Sequence, residues 1–206
     1  MNRILFLFII SFIYSTTIRV PDDYGTIQEA INACVDGDTV LVSDGIYSGI
    51  GNTNLSWNSK HLSIVSENGP ENCIIDGNNE SRAFVFNENG QNNELDLISG
   101  FTILDGYSTG SGGGIYAEGG SPKISNMIFE DCEASGYGGA MYIHSSSLDI
   151  ERTLMKNNIA GNFGSAISVG HDSDLTISSS TIVNNSFSSD EIIYMFDSGN
   201  VDIMNS

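Results

Sequence analysis

Positive charge is scarce in this chain. Seven lysines and arginines stand against 26 aspartates and glutamates, giving a net charge of −19 over 206 residues. So acidic a surface disfavours nucleic acid and anionic lipid, and polyanionic glycans too unless a cation bridges the two. Cysteine is scarce as well: Cys34, Cys73 and Cys132 make an odd number, which excludes a complete disulfide framework. Long apolar runs are missing. The longest, Ile4 to Tyr14 behind Met1-Asn2-Arg3, covers eleven residues, too short to span a bilayer and of the length of a secretory signal peptide. The expectation is a signal peptide over 1–16, with an uncleaved interfacial anchor as the alternative, and a mature chain from residue 17 that is secreted or displayed at the cell surface without a membrane span. No zinc-ligand spacing, phosphate loop or Ser-His-Asp order is visible.

What the chain has in quantity is a repeat. Gly113-Gly114-Ile115-Tyr116 returns as Gly139-Ala140-Met141-Tyr142, as Ser165-Ala166-Ile167-Ser168 and as Glu191-Ile192-Ile193-Tyr194, each 26 residues after the last. A second apolar column runs through Ile74, Ile103, Phe129, Met155 and Ile182. Repeats of this length are stacked units, none of which buries its apolar face alone. Within each unit, short alternating runs such as Ile115-Tyr116-Ala117 carry the period of a half-buried strand, and Gly, Ser, Asn and Asp clusters supply turns. Ten residues of helical periodicity occur in no copy. Three short strands and three turns per unit predict an all-β fold: a right-handed parallel β-helix over 17–206 with one coil per 26 residues. By this register Cys73 and Cys132 lie two coils apart, roughly 10 Å and beyond disulfide reach, so buried free thiols are expected.

Ahead of the repeats, Thr26 and Glu29 form a capping box, and Ile27, Ala30, Ile31 and Cys34 share one face of a short helix that would cover the end of the stack. Val40-Leu41-Val42 reads as the first buried strand. Val20-Pro21, Thr26-Ile27-Gln28, Ala30-Ile31, Gly37-Asp38-Thr39-Val40 and Gly45-Ile46-Tyr47 closely resemble the N-terminal cap and first coil of the pectin-lyase-like superfamily. That resemblance implies the β-helix fold; it leaves activity open, since the same cap precedes lyases, esterases, hydrolases and non-enzymes. The Gly-Gly-Ala-Met motif and Phe129-x-x-Cys132, Met155-x-x-Asn158 and Ile182-x-x-Asn185 resemble the repeats of chlamydial polymorphic outer-membrane proteins, with only parts of each motif present. This second likeness implies a surface adhesin. The chain stops at Ser206 within a coil, so a longer parent chain is expected, or else a partner over the open edge, and self-association through that strand edge at Ile193 to Ile203.

Two groups of residues are candidates for function. Parity turns Tyr116, Tyr142 and Tyr194 outward, with Glu118 and His144 in the next outward column. Rings beside a carboxylate and an imidazole suit an extended neutral glycan; the structural alternative is an aromatic ladder that holds the sheet. Asp76, Asp105 and Asp131 precede Asn157 and Asn184 in another column. Asparagines stacked at β-helix turns bond to neighbouring turns, whereas stacked carboxylates repel unless relieved by a cation such as Ca2+; solvated turn aspartates are the alternative. The polar insertion Asn87 to Glu94 is a further candidate wall for a site.

Signatures of the superfamily's enzymes are mostly missing. Of the polygalacturonase motifs, Gly170-His171-Asp172 keeps a faint trace of one. Pectate lyases need a basic residue near calcium-binding carboxylates, but Lys123 falls beside Asp149, Arg152 and Lys156 have no carboxylate cluster in their columns, and Glu118 has no acidic partner in its own. The sequence therefore favours a non-catalytic module that binds polysaccharide or a cell-surface glycan, or serves in adhesion. The alternative is a polysaccharide-active enzyme, of pectate lyase, pectinesterase or glycoside hydrolase type, with an incomplete or divergent site.

Overall fold

The computed structural model describes residues 15–57, 60–87, 96–187, 191–196 and 199–204. The expected signal peptide up to residue 14, and the polar insertion beyond Asn87, lie outside these residues. The chain is a parallel β-solenoid of about 7 turns with one short helix near its start. Among the described residues the strands form four parallel sheets of eight, six, five and four strands. A representative coil runs Ile115–Glu118 in the five-stranded sheet, Lys123–Ser125 in the eight-stranded, Ile128–Glu130 in the six-stranded and Glu133–Ala134 in the four-stranded. The next coil repeats the path with Met141–His144, Ser147–Glu151, Leu154–Lys156 and Ile159–Ala160. There are thus four strands per regular coil rather than three. The fourth is a two-residue rung, too short for an alternating pattern to reveal it.

Alternation fills the core as expected. Ile115, Ala117, Met141, Ile143, Ile167 and Val169 are fully buried, and Ile103, Phe129 and Met155 stack in register on the six-stranded sheet. Nearer the start, Trp57 packs edge-on against Phe84 and Phe86 inside the coil. Two placements differ from the sequence reading. The residue that continues the column below Ile103 is Ile75, fully buried, while Ile74 points outward. And Thr39–Val42 is the second strand of its sheet: Thr17–Val20 precedes it and pairs with it in parallel, and Leu41 faces out between buried Val40 and Val42.

The helix spans Ile27–Ala33. Both halves of the capping box are made: the Thr26 hydroxyl accepts from the Glu29 amide at 3.3 Å, and the Thr26 amide donates to the Glu29 carboxylate at 3.1 Å. Lys60 donates to the Ile31 and Asn32 carbonyls at 3.0 and 2.7 Å, supplying positive charge where the helix dipole favours it. Ile27, Ala30, Ile31 and Cys34 are buried beneath. All three cysteines are buried and free. Burial raises their thiols to about 11 for Cys34 and about 12 for Cys73 and Cys132. Cys73 and Cys132 are not in one column: the first opens Cys73–Asp76, the second follows Ile128–Glu130.

An asparagine ladder is present, one residue along from where the sequence suggested. Buried Asn158 accepts from the Cys132 amide at 3.0 Å and donates to the Phe129 carbonyl at 3.1 Å and to Asn185 at 2.8 Å; Asn185 donates to the Met155 carbonyl at 3.0 Å. The asparagines of the F-x-x-N-like motif are therefore interior staples. Cys132 ends the ladder with a thiol that can offer only weak hydrogen bonds, to the Ile103 and Glu130 carbonyls. Asn157 and Asn184, expected in that role, instead take left-handed backbone at the turn, with φ of 59° and 54°.

Candidate functional site

The five-stranded sheet carries the aromatic residues on its outer face. Parallel register aligns Tyr116, Tyr142, Ser168 and Tyr194 in one column, and Glu118 with His144 in the next. Tyr116 and Tyr142 stack with ring centroids 5.4 Å apart and planes 20° apart. The Tyr116 hydroxyl donates to Glu118 at 2.8 Å. Burial first, then the Glu118 carboxylate, raises the Tyr116 phenol to about 12, so it is a proton donor throughout the physiological range. His144 stacks beside Tyr142 at 6.3 Å. Tyr194 is not the third rung of this stack, because Ser168 intervenes.

Three residues the sequence reading passed over complete the face. Tyr137 and Phe163 lie in the turns that lead into the sheet, and Arg82 in the turn before Phe84–Asn87. Tyr137 contacts Tyr142 at 6.5 Å, Phe163 at 6.1 Å and Phe196 at 5.0 Å, and Phe163 stacks on Tyr194 at 4.5 Å. Rings thus run on from Tyr142 to Tyr194 by a detour through the turns. The signal was available: Tyr137 and Phe163 are 26 residues apart, though outside any strand pattern. Arg82 sits over the Tyr116 ring, 5.1 Å from its centroid, and also bonds Ser108. Beside it an open cleft of about 210 Å3 is lined by Asn54, Glu80, Val85 and Tyr107 among others.

This packing has a chemical consequence. One face of Tyr116 is taken by Tyr142 and the ring also carries Arg82, while Tyr194 is stacked by Phe163. All three tyrosines are half-buried, with Glu118 exposed at the rim. The tyrosines thus form a packed aromatic ladder on the outer face of the sheet.

The three aspartates do not form a calcium cage. Among the described residues no three His, Cys, Asp or Glu side chains converge in a way that could hold a metal ion. Asp76 is out of register, paired with Leu104 rather than with Asp105. Asp105 and Asp131 take left-handed backbone, φ 48° and 55°, a conformation that Asx residues tolerate better than most. Their residue type thus has a backbone cause. Asp105 is strained electrostatically: burial, then Asp76, Asp131 and Glu130, raise its carboxyl above the usual range. A raised folded value means a penalty that is absent below the unfolded value near 3.9 and grows as pH rises through it. Asp105→Asn, which matches Asn157 and Asn184 in the same turn column, is expected to stabilise by about 0.5 kcal/mol at pH 7. That would raise the melting temperature by about 1–2 °C, and the gain should vanish at pH 3. A lower melting temperature at pH 7 would sink this account.

The remaining cations serve the wall of the solenoid. Lys123 pairs with Glu151 at 3.0 Å rather than with Asp149, and Glu151 also holds Arg152. Lys156 pairs with a single carboxylate in its own column, Glu130 at 2.7 Å. On the eight-stranded sheet an open cleft of about 550 Å3 is bordered by Ser121, Lys123, Ser147, Asp149, Asp174 and Thr176, away from the rings. No family model, curated protein or solved structure matches the chain.

Proposed function

We propose that this protein is a non-catalytic recognition module, secreted or displayed at the cell surface, whose aromatic sheet binds a neutral polysaccharide or cell-surface glycan. On this reading it is a right-handed β-helix of the pectin-lyase-like type that has no use for that superfamily's catalysis. The observation that carries the proposal is the outer face of the five-stranded sheet, where Tyr116 and Tyr142 stack at 5.4 Å beside Glu118 and His144. Ring edges supply apolar contact to sugar C–H groups, while carboxylate, imidazole and phenol tips supply hydrogen bonds. These tips recur at strand spacing, roughly 4.8 Å, which suits a chain of like units lying along the solenoid axis. The net charge of −19 favours an uncharged polymer.

The test is a glycan array probed with the wild-type chain and with Tyr116→Ala/Tyr142→Ala. Wild type should bind neutral polysaccharides, and the double variant should bind at least tenfold more weakly while keeping its β-type circular dichroism. A wild-type chain that binds none of them, or a folded double variant that binds undiminished, would overturn the reading.

A further inference from the structure

The third place in the column Tyr116, Tyr142, Ser168, Tyr194 holds no ring. Ile167 and Val169 face the core, so parity turns Ser168 outward. Yet Ser168 is 0% exposed, and its Oγ has no hydrogen-bond partner among the described residues. An outward hydroxyl can be buried only by side chains lying over it. The neighbouring turn supplies the Phe163 ring, which belongs to the same coil and stacks on Tyr194 at 4.5 Å. Phe163 also meets Tyr137 of the preceding coil at 6.1 Å, so it lies between rings of the coils on either side, at the level of Ser168, where Tyr137 and Phe196 meet as well at 5.0 Å. A buried, unmade hydrogen bond is unfavourable, and alanine at 168 would avoid it.

We infer that the Ser168 rung is a covered sugar subsite. A pyranose ring of the glycan displaces the Phe163 side chain, lies between Tyr142 and Tyr194, and hydrogen-bonds through one hydroxyl to Ser168 Oγ. Two strand spacings separate these tyrosines, roughly 9.6 Å. That admits one ring layer at stacking distances like the 4.5 and 5.4 Å already found on this face. The subsite supplies what the Tyr116–Tyr142 stack cannot, a ring face turned to the ligand. Displacing Phe163 lowers the apparent affinity by the fraction of molecules in which the rung is open.

This inference rests on the glycan reading, and the experiment separates the two. Short cello-, manno- and xylo-oligosaccharides are titrated calorimetrically into the full chain, its Ser168→Ala and Phe163→Ala variants, and the Tyr116→Ala/Tyr142→Ala variant. Ser168→Ala is expected to weaken binding by about five- to tenfold, one neutral hydrogen bond. Phe163→Ala opens the rung and is expected to tighten binding severalfold. Binding by Ser168→Ala equal to wild type overturns the subsite, and so does weaker binding by folded Phe163→Ala, which would make that ring part of the platform. If wild type binds and only the tyrosine double variant loses binding, the subsite fails and the glycan reading stands. No binding by wild type defeats both.

Discussion

Gly138→Ala is expected to destabilise the chain by at least about 3 kcal/mol, lowering its melting temperature by about 6–12 °C. Gly138 has φ of +67°, and a Cβ there would lie 2.0 Å from the Met141 carbonyl oxygen and 2.6 Å from its carbon. Left-handed backbone costs an L-residue about 1–2 kcal/mol. The collision adds more, because the atom struck is backbone held in the five-stranded sheet and cannot rotate away. Gly37→Ala is the control. Its φ is +90° with nothing within 4 Å of the added Cβ, so it carries the backbone penalty without the collision. Thermal melts followed by circular dichroism should separate the two variants clearly. Equal losses would mean that the turn into the aromatic sheet is looser than described.

In a chain that retains Thr16, Asp38→Ala is expected to cost about 2–4 kcal/mol at pH 7. Asp38 is 3% exposed, and its carboxylate accepts from the Thr16 amide, the Thr16 hydroxyl and the Val35 amide, each at 2.8 Å. It thereby ties the chain ahead of Thr17–Val20 to the turn that follows the helix. Burial by itself would raise the carboxyl; the hydrogen bonds from Val35 and Thr16 outweigh it and hold the group below its ordinary value. For a depressed carboxylate the stabilisation is present above the unfolded value near 3.9 and is lost as pH falls through the lower folded value. The gap between wild type and Asp38→Ala should therefore narrow on acidification below pH 4. Chemical denaturation at pH 7 and pH 3 measures it, and a gap that widens in acid would contradict the hydrogen-bond account.

The 26-residue spacing and the parity of Ile115, Met141 and Ile167 fixed the coil, the core face and the alignment of Tyr116 with Tyr142. Parity states which way a side chain leaves the strand, but not what lies over it. The same parity directs Ser168 outward, whereas it is buried along with Ile167 and Val169. Tyr137, Phe163 and Arg82 reach the face from turns, where no alternation marks them. The ladder went to Asn157 rather than Asn158 because one residue decides whether a side chain closes a turn or enters the core. Asp76 and Ile74 slipped by one for a related reason: the step from Ile75 to Ile103 is not a whole repeat. Register sets Lys123 beside Asp149, whereas its flexible stem reaches Glu151, two residues further along that same neighbouring strand.

The parallel register also sets how this chain can fold. Ile115 pairs with Met141, Met141 with Ile167 and Ile167 with Ile193, so these contacts join residues one coil apart in sequence. Closing a loop of fixed length carries a fixed entropic cost, roughly (3/2)RT ln n for n residues. Each coil meets that cost afresh, against a template already formed by its neighbour. Relative contact order therefore falls as coils are added, since chain length grows while the span of a contact does not. The slow event is the first pair of coils; after it, the stack elongates like a one-dimensional crystal, at a pace set by the coil and not by the length of the chain.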